Sequence, residues 1–457
     1  MLSSVTEGWR SHEYTYPFSI DPHRLQSVRQ FFTSVLNKQQ LSMKKNFLLI
    51  AGNYFPEPTG IGKYNGEMMK WLAEQGHSCT VITTFPYYPQ WKIQEKYSKR
   101  CFWFKTERID FDYSSIIKVI RCPHYIPKNP SGVYRLISEF SFFFSAYLVV
   151  LFLLFKEQFD YIITVAPPFE IGLLGVLYKK IRGGKFICHI QDLQIDAARD
   201  LGMIKSRRII NFFLIIERYI LKQSDYVSTI SLGMIEKVKK KCGKEVLYFP
   251  NWVDIDLFYP LENKEEIKRE YGFKSTQKII LYSGAIGHKQ GLEAILQAAK
   301  RLEYLVDIKF AICGSGPYKE ILVNMAAQMN LKNLIFLPLQ KPSKLNCFLN
   351  MADLHLVLQK TDGADLFLPS KLSTILSVGG VAIVTASNGS SLYNIMNSTN
   401  MGILIEPENQ DELVAAIINN IHSDQIAIKG RNARIYAEHF LSNTKILVEH
   451  FSTVLSG

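Results

Sequence analysis

Glycines cluster in three short segments of this sequence, and each segment lies where a strand-like pattern gives way to a helix-like pattern. The first contains Gly60 and Gly62, the second begins at Gly284, and the third is Gly314, Ser315 and Gly316. Glycine lets the backbone approach a ligand closely, and the first turn of a helix offers N–H groups to anionic oxygens. The pattern therefore indicates anion binding, although each segment taken alone also fits a tight turn.

Two further segments carry polar side chains at the ends of predicted elements. His189 and Asp192 follow an apolar strand, and strand ends in open α/β sheets border the ligand crevice. Ser370 and Lys371 begin a predicted helix, where a hydroxyl group, an ammonium group and free N–H groups together suit a diphosphate. The alternatives without a function are a structural histidine and a helix cap beside a solvated lysine.

These segments belong to two blocks in which strand-like and helix-like stretches alternate. In the first block, strands are predicted at 43–51, 78–83, 159–166, 185–190 and 226–230, and helices at 61–75 and 207–222. In the second block, strands are predicted at 278–283, 307–313, 334–337, 354–358, 381–385 and 402–405, with helices between them. Alternation with short loops predicts parallel sheets covered by helices on both faces.

Composition limits the function further. A chain of 457 residues is too long for one core, so two domains are expected. The seven cysteines are scattered and never spaced C-x-x-C, so neither a disulfide framework nor a metal site is predicted. The net charge of +12 suits a phosphorylated substrate or an anionic membrane. No nucleic acid is expected, because no zinc finger, RNP motif or basic recognition helix stands out.

The first residues do not have the pattern of a targeting signal. They lack a basic region followed by an apolar run, so no signal peptide is predicted and a cytoplasmic location is expected. Residues 1–42 show no sustained periodicity, whereas Met43 opens a basic pair and an apolar strand. Residues 1–42 are therefore interpreted as an N-terminal extension that is dispensable for folding and activity.

Two stretches have a composition that suits a membrane surface. Phe140–Phe155 is almost entirely apolar but shorter than the ~20 residues that span a bilayer, which favours a buried helix of the first domain. Trp91–Arg108 interleaves six cations with aromatic side chains, and this mixture fits both an anionic headgroup surface and an ordinary solvated loop.

The segment that divides the two blocks is Phe249–Phe258, with the sequence FPNWVDIDLF. Its pattern P-N-x-V-D-x-x-x-F resembles the interdomain hinge of the retaining glycosyltransferases with the GT-B fold. The resemblance implies an α/β protein in which two Rossmann-like domains face each other across a cleft and a C-terminal helix crosses back to the first domain. The implied boundaries are 43–248 for the acceptor-side domain, 249–260 for the hinge, 261–432 for the domain that binds the donor nucleotide, and 433–457 for the returning helix.

The same resemblance implies roles for the glycine segments and for the histidine. Gly60 and Gly62 would lie near the transferred sugar and the donor phosphates, while Gly314, Ser315 and Gly316 would lie beside the nucleotide base and ribose. His189 and Asp192 match an H-x-x-D element of the family. His189 would hydrogen-bond the sugar and stabilise its developing positive charge through the ring or the backbone carbonyl.

Several family residues are replaced in this chain. The arginine and lysine that usually contact the donor diphosphate after Gly284 are here Ala285 and Gln290, so Lys289, one residue away, and Lys371 are expected to act instead. The usual Glu-x7-Glu pair falls on Leu366 and Thr374. Asp362 and Asp365 lie just upstream, and one of them, with Asp365 favoured, is expected to replace the first carboxylate.

The combination of S-G-x-I-G-x-x-Q-G-L-E, H-I-Q-D and L-P-S-K-L-x-x-I-L-x-x-G-G resembles a narrower branch, the bacterial polysaccharide glycosyltransferases of the colanic acid type. It implies retaining transfer of a hexose or deoxyhexose from a nucleotide-diphosphate sugar to a polyprenyl-diphosphate-linked saccharide, at the inner face of the cytoplasmic membrane. The reaction would serve exopolysaccharide, capsule or O-antigen synthesis. GDP-fucose is one candidate donor, as a substrate, and no cofactor is predicted.

Two alternatives remain beside this interpretation. A GT-B sugar-nucleotide epimerase needs carboxylates as acid and base, and the scarcity of Asp and Glu between residues 360 and 375 disfavours it. A non-catalytic GT-B scaffold is favoured by the missing Glu pair and arginine, whereas the retained His189, Asp192 and Lys371 argue against a decayed site.

Overall fold

Strands and helices alternate along both halves of the chain, and each half forms its own sheet. The structure, a computed structural model, describes residues 43–57, 60–110, 116–129, 132–200, 206–360 and 369–456. The predicted extension 1–42, Asp362 and Asp365 lie outside the described residues. The strands of the first sheet are β1 Asn46–Ala51, β2 Ser78–Thr84, β3 Lys105–Asp110, β4 Ile116–Cys122, β5 Tyr161–Ala166, β6 Lys185–Ile190, β7 Tyr226–Thr229 and β8 Leu247–Tyr248. Those of the second are β9 Lys278–Ser283, β10 Ile308–Cys313, β11 Leu334–Leu337, β12 Leu354–Val357, β13 Ala382–Thr385 and β14 Gly402–Ile405.

Helices connect these strands. In the N-terminal domain they are α1 Gly60–Glu74, α2 Gly132–Lys156, α3 Gly172–Arg182, α4 Gln194–Asp200, α5 Arg207–Gln223 and α6 Leu232–Cys242. In the C-terminal domain they are α7 Lys264–Glu270, α8 Glu293–Arg301, α9 Lys319–Gln328, α10 Leu345–Asn350, α11 Ser370–Ser377, α12 Ser391–Thr399, α13 Gln410–Asn420 and α14 Gln425–Tyr436. The last helix is α15 Asn443–Ser456.

The first sheet has the strand order β3-β4-β2-β1-β5-β6-β7-β8, and its pairs are parallel except that β3 runs antiparallel to β4. The central strands are buried on both faces, as in β5, where all six residues are buried. Parallel sheets covered by helices have this continuous apolar pattern. The edge strand β3, KTERID, alternates half-buried and exposed residues, and neither β3 nor β4 was predicted from the sequence.

The second sheet has the strand order β11-β10-β9-β12-β13-β14, and every pair in it is parallel. The first strand of this domain, β9, pairs with both β10 and β12, so the order of connection reverses beside it. Ligands of open α/β sheets bind outside the carboxyl ends of the strands at such a reversal. The predicted strands of this block agree with the observed ones to within a residue or so at each end.

The chain crosses between the two domains twice, and the two crossings lie side by side. The amide of Val253 donates to the carbonyl of Leu441 (2.8 Å), and the amide of Asn443 donates to the carbonyl of Val253 (3.1 Å). Beyond this point α15 returns to the N-terminal domain, where Phe451 packs on Trp71 with ring centroids 5.7 Å apart. The predicted helix that crosses back to the first domain is therefore present.

Helix α2 contains the apolar stretch Phe140–Phe155 and is 25 residues long. The prediction of a buried helix is correct for one face only. Phe142 and Val150 lie in the core of the N-terminal domain, whereas Phe144 is 63% exposed and Phe155 is 87% exposed. By length and composition, α2 is the one described helix that could cross a membrane, and a third of its most apolar window is buried inside the domain.

Candidate active site

The carboxyl ends of β1 and β2 are held together by a buried carboxylate. Glu57 is 2% exposed and accepts hydrogen bonds from the amides of Tyr87 (3.0 Å) and Tyr88 (2.9 Å) and from Nδ2 of Asn53 (2.9 Å). Burial raises the pKa of this carboxyl group, and the three donors oppose that shift. Glu57 thereby fixes the loop that precedes α1 against the loop that follows β2.

The first predicted glycine segment begins α1 beside this carboxylate. Gly60 is the first residue of the helix, is exposed and has a positive φ of 62°. A Cβ atom on Gly62 would lie 2.8 Å from Cβ of Glu57, so a larger residue would displace the loop. The glycine at 62 is therefore required for packing, and the exposed start of α1 at Gly60 leaves helix N–H groups for an anionic ligand.

His189 and Asp192 lie in different environments although they are three residues apart. The His189 side chain is 4% exposed, its Nδ1 is 3.0 Å from the Ser228 hydroxyl, and its ring meets the ring of Phe249 edge-on at 5.0 Å. Burial lowers the pKa of His189 to about 3, so the imidazole is neutral. Asp192 is exposed at the end of β6, where partial desolvation raises the pKa of its carboxyl group.

The two glycine segments of the C-terminal domain interlock through their backbones. The amide of Gly284 donates to the carbonyl of Cys313 (3.0 Å), and the amide of Ile286 donates to the carbonyl of Ser315 (2.9 Å). A Cβ atom on Gly314 would lie 2.0 Å from the carbonyl oxygen of Gly284, and one on Gly316 would lie 2.1 Å from that of Ile286. Only glycine fits at 314 and 316 without moving the neighbouring loop.

Lys371 reaches the same pair of loops from the first turn of α11. Its Nζ lies 4.3 Å from the centroid of the Tyr282 ring, 3.2 Å from the Tyr282 hydroxyl, and 3.6 Å from the position of a Cβ atom on Gly284. Burial lowers the pKa of Lys371 to about 8. Among the described residues no carboxylate forms an ion pair with it, so its ammonium group is desolvated without a compensating anion.

The remaining predicted donor residues lie at the surface around these loops. Lys289 is exposed on the 3₁₀ turn His288–Gln290. Its backbone carbonyl accepts a hydrogen bond from the amide of Lys360 (3.0 Å), which ties this turn to the segment after β12. Ser370 is the first residue of α11, and the Thr374 hydroxyl donates to the Ser370 carbonyl (3.4 Å). Within the described part of the chain, no group of three or more His, Cys, Asp or Glu could hold a metal ion.

Comparisons with known proteins agree with this architecture. The family model "Glycosyl transferase 4-like domain" matches residues 59–252, and the model "Glycosyl transferases group 1" matches residues 263–439. The putative colanic acid biosynthesis glycosyl transferase WcaI of Escherichia coli K12 is 39% identical over 423 residues, which cover 89% of this chain and 99% of the relative. This chain belongs to the group 1, GT4-like glycosyltransferases.

Solved structures confirm the predicted GT-B fold of this glycosyltransferase. Sucrose-phosphate synthase from Thermosynechococcus elongatus aligns with a TM-score of 0.67 at 15% identity, covering 90% of this chain and 98% of the other. Anabaena HepE in complex with UDP aligns with a TM-score of 0.65 at 13% identity, covering 91% and 100%. The lipopolysaccharide glycosyltransferase WaaG aligns with a TM-score of 0.63 at 16% identity, covering 90% and 100%.

The geometry brings some predicted residues of the glycosyltransferase together and separates others. Gly284, Gly314, Gly316 and Lys371 meet at the carboxyl edge of the second sheet, whereas the ring of His189 is buried against the hinge. Tyr282 was missed by the sequence analysis, although it lies two residues before Gly284 at the end of an apolar strand. The roles of these residues in binding and catalysis stay predictions.

Proposed function

We propose that this glycosyltransferase transfers a sugar, with retention of anomeric configuration, from a nucleotide-diphosphate sugar to a lipid-linked saccharide in bacterial polysaccharide synthesis of the colanic acid type. Support for the pathway comes from a relative of that name, 39% identical over almost its whole length. Support for the donor comes from Anabaena HepE, a structural neighbour solved with UDP and with UDP-glucose. The observation that carries the proposal is the ammonium group of Lys371, which lies beside the Gly284 loop and has no carboxylate partner in the part of the chain that the structure describes.

A half-buried cation that pairs with no carboxylate among the described residues suits a ligand that arrives with negative charge. Burial of an ammonium group costs free energy unless the charge is paired, so a donor diphosphate beside Lys371 supplies the missing partner. Gly284 and Gly314 themselves carry no side chain that would keep the phosphates away from the backbone. Lys371 would then neutralise the charge that develops on the diphosphate as it departs.

The proposed reaction follows from this arrangement. The bond between the anomeric carbon and the donor diphosphate breaks, and its electron pair stays on the diphosphate. An acceptor hydroxyl forms the new bond on the same face of the sugar and gives its proton to the departing diphosphate. Asp192, exposed at the edge of the first sheet, would bind a sugar hydroxyl, and His189 would contribute through its backbone because its ring is buried.

A thermal-shift panel of GDP, UDP, ADP and their sugar derivatives tests this function. A ligand present at 100 times its Kd adds about 2.7 kcal/mol of stability, so the matching nucleotide should raise the unfolding temperature clearly. We expect nucleotides of one base to stabilise the enzyme most. The enzyme should then use the sugar derivative of that nucleotide, GDP-fucose among the candidates, when membranes that carry the acceptor are added. NMR of the product should show the donor's anomeric configuration. Absence of stabilisation by every nucleotide, or an inverted product, would contradict the proposal.

We propose further that the enzyme works while bound to the inner face of the cytoplasmic membrane. The outer face of α2 carries a stripe of exposed apolar side chains, and the outer face of α5 carries another. The two helices adjoin, since the rings of Phe140 and Phe213 lie 6.5 Å apart. The stripes consist of Ile137, Phe144, Leu148, Phe152 and Phe155 on α2, and of Ile209, Phe212, Ile215 and Tyr219 on α5.

The charges on this α2–α5 face are complementary to anionic lipid. Arg207, Arg208, Arg218 and Lys222 of α5 are exposed. The acid of α5, Glu217, is buried and paired with Lys241, and the acid of α2, Glu139, is bound to Gln194. Apolar side chains flanked by cations, without exposed acids, are typical of a surface that lies on anionic headgroups.

The stretch Trp91–Arg108 contributes a second membrane contact in this proposal. Its Phe102 and Trp103 are 83% and 75% exposed, and Lys96, Lys99 and Arg100 are exposed beside them. Lys105 belongs instead to the edge strand β3, where it is paired with Glu107 at 2.8 Å. Lys105 is therefore a poorer membrane contact than the sequence alone indicated.

Replacing Arg207 and Arg208 by glutamine should weaken binding to vesicles that contain phosphatidylglycerol. Each cation near the surface contributes about 1 kcal/mol, so the double variant should bind roughly thirtyfold more weakly in a flotation assay. The matched control is Lys341→Gln with Lys344→Gln, two exposed lysines of the C-terminal domain, which should leave binding unchanged. Equal binding by both double variants at every salt concentration would exclude the α2–α5 face as the membrane-binding surface.

A further inference from the structure

A small polar cavity lies at the carboxyl edge of the first sheet, separate from the glycine loops of the second sheet. Its volume is about 60 Å³, and its walls come from the ends of β1, β2 and β5 and from the first turns of α2. Asn53, Tyr87, His124 and Glu139 supply polar groups to these walls. A cavity of this size has room for roughly four water-sized groups, which suits a few hydroxyl groups but not a whole sugar ring.

Several polar atoms in and beside this cavity are buried without a hydrogen-bond partner among the described residues. They are Nδ1 and Nε2 of His124, Oε1 of Glu170 and Oε1 of Gln194. Gln194 donates from Nε2 to both carboxylate oxygens of Glu139, at 2.8 Å each. Glu170 is 3% exposed. Buried polar groups are normally satisfied, so an unsatisfied set that includes both a donor and acceptors indicates a ligand with hydroxyl groups.

The charge of the cavity argues against the donor diphosphate as its occupant. Glu139 and Glu170 interact, and this interaction adds to burial in raising the pKa of Glu170 to about 8; burial raises that of Glu139 to about 7. Arg135 lowers the pKa of Glu139, but its guanidinium group lies over the ring of Trp91 at 5.1 Å. Burial keeps His124 neutral by lowering its pKa to about 3.

We propose that this cavity is an acceptor subsite, in which Glu139 and His124 bind hydroxyl groups of the acceptor saccharide. Gln194 holds the Glu139 carboxyl group in place, and Glu170 interacts with it electrostatically. The inference rests on the proposed function, because it assigns the acceptor to the N-terminal domain of a glycosyltransferase. A neutral imidazole offers one donor and one acceptor, and a carboxylate accepts hydrogen bonds from hydroxyl groups. The cavity then holds hydroxyl groups of the acceptor sugar at the same sheet edge as Asp192 and the start of α1.

Saturation-transfer NMR with methyl glycosides of glucose, galactose and fucose tests this subsite without the lipid-linked acceptor. The wild-type chain should give signals from at least one glycoside, and Glu139→Gln and His124→Ala should each reduce them fivefold or more. Glu157→Gln, the same change one residue beyond the C-terminal end of α2, is the matched control and should leave the signals unchanged. No signal in the wild type, or signals that persist in both cavity variants, would overturn the subsite and leave ordered water as the occupant.

Nucleotide binding separates this inference from the function on which it rests. Stabilisation by the nucleotide diphosphate found in the panel should survive in Glu139→Gln and in His124→Ala, because neither residue belongs to the donor side. If nucleotides stabilise every variant while the glycoside signals disappear only in the cavity variants, the subsite is supported. If no nucleotide stabilises the wild type, the proposed function fails, and the glycoside signals still decide whether the cavity binds sugar.

A pH profile of stability tests the carboxyl pair itself. A carboxyl group whose folded pKa is raised favours the folded state while protonated, so the wild type should lose stability as pH rises from about 4.5 towards 8. The Glu170→Gln variant should lose less over the same interval, measured by its unfolding temperature. Identical profiles would show that the pKa of Glu170 is not raised in the folded state. They would overturn the interaction of Glu170 with Glu139.

Discussion

Replacing Lys371 by alanine should lower kcat by about 10²- to 10³-fold, the usual effect of removing one preorganised electrostatic contact to developing charge. The ammonium group lies between the Tyr282 ring and the Gly284 loop and has no carboxylate partner among the described residues. The unfolding free energy should change little, because the variant loses a cation–π contact but also relieves an unpaired buried charge. Steady-state kinetics and urea unfolding of the same preparations measure both effects.

The pKa of Lys371 adds a pH dependence to this expectation. Since burial lowers it to about 8, the ammonium group of the free enzyme loses its proton as pH rises above 8. The affinity for a nucleotide diphosphate should therefore decrease between pH 8 and pH 10 in the wild type and stay flat over that interval in Lys371→Ala.

Lys289→Ala is the control for the assignment of the phosphate site. Lys289 is an exposed lysine on the neighbouring turn, so its loss should cost less than the loss of Lys371. Near-full turnover in Lys371→Ala together with loss of turnover in Lys289→Ala would place the phosphates at the turn that ends at Gly291. If neither change matters, helix N-termini or a metal hold the diphosphate.

Replacing Phe249 by alanine should lower the unfolding free energy by about 3–5 kcal/mol, as is typical for large aromatic side chains in cores. Phe249 is 2% exposed and stacks on the His450 ring at 3.8 Å, and it meets the ring of His189 edge-on. It therefore joins the first sheet, the hinge and the last helix at one point. Its removal leaves a cavity where three separate parts of the chain meet.

Phe102→Ala is the matched control for Phe249→Ala. Phe102 is 83% exposed, so its truncation should change the unfolding free energy by less than about 0.5 kcal/mol. Urea titration of both variants gives the comparison. A Phe249→Ala protein as stable as Phe102→Ala would show that the contact between hinge and last helix contributes nothing to the folded state.

The buried strands were predictable because parallel sheets require continuous apolar runs, which stand out between polar loops. β9 was predicted at its observed ends and β10 to within one residue, since neither face admits polar side chains. β3 was missed because an edge strand needs no apolar residues. The apolar sequence of α2 indicated burial, but composition alone does not distinguish a helix covered by its own domain from one half-exposed to solvent or lipid.

The candidate site was predictable from the sequence only where a close approach of two backbone segments requires glycine. Gly314 and Gly316 had to be glycine because another loop approaches within 2.0 to 2.1 Å of where a Cβ would be, and that requirement is visible as a glycine pattern. The contact of Lys371 with Tyr282 joins residues 89 positions apart, and no local pattern records it. Burial of His189 likewise depends on Phe249, which lies on a different element.

The paired crossings at Val253 restrict how the two domains can move. Sliding one domain past the other would break the hydrogen bonds that join Val253 to Leu441 and Asn443, whereas rotation about the line of these bonds would keep both. The two crossings therefore form one line about which the domains can turn without losing either bond. In the proposed reaction, a turn about this line would give the spent nucleotide and the lengthened saccharide one shared exit.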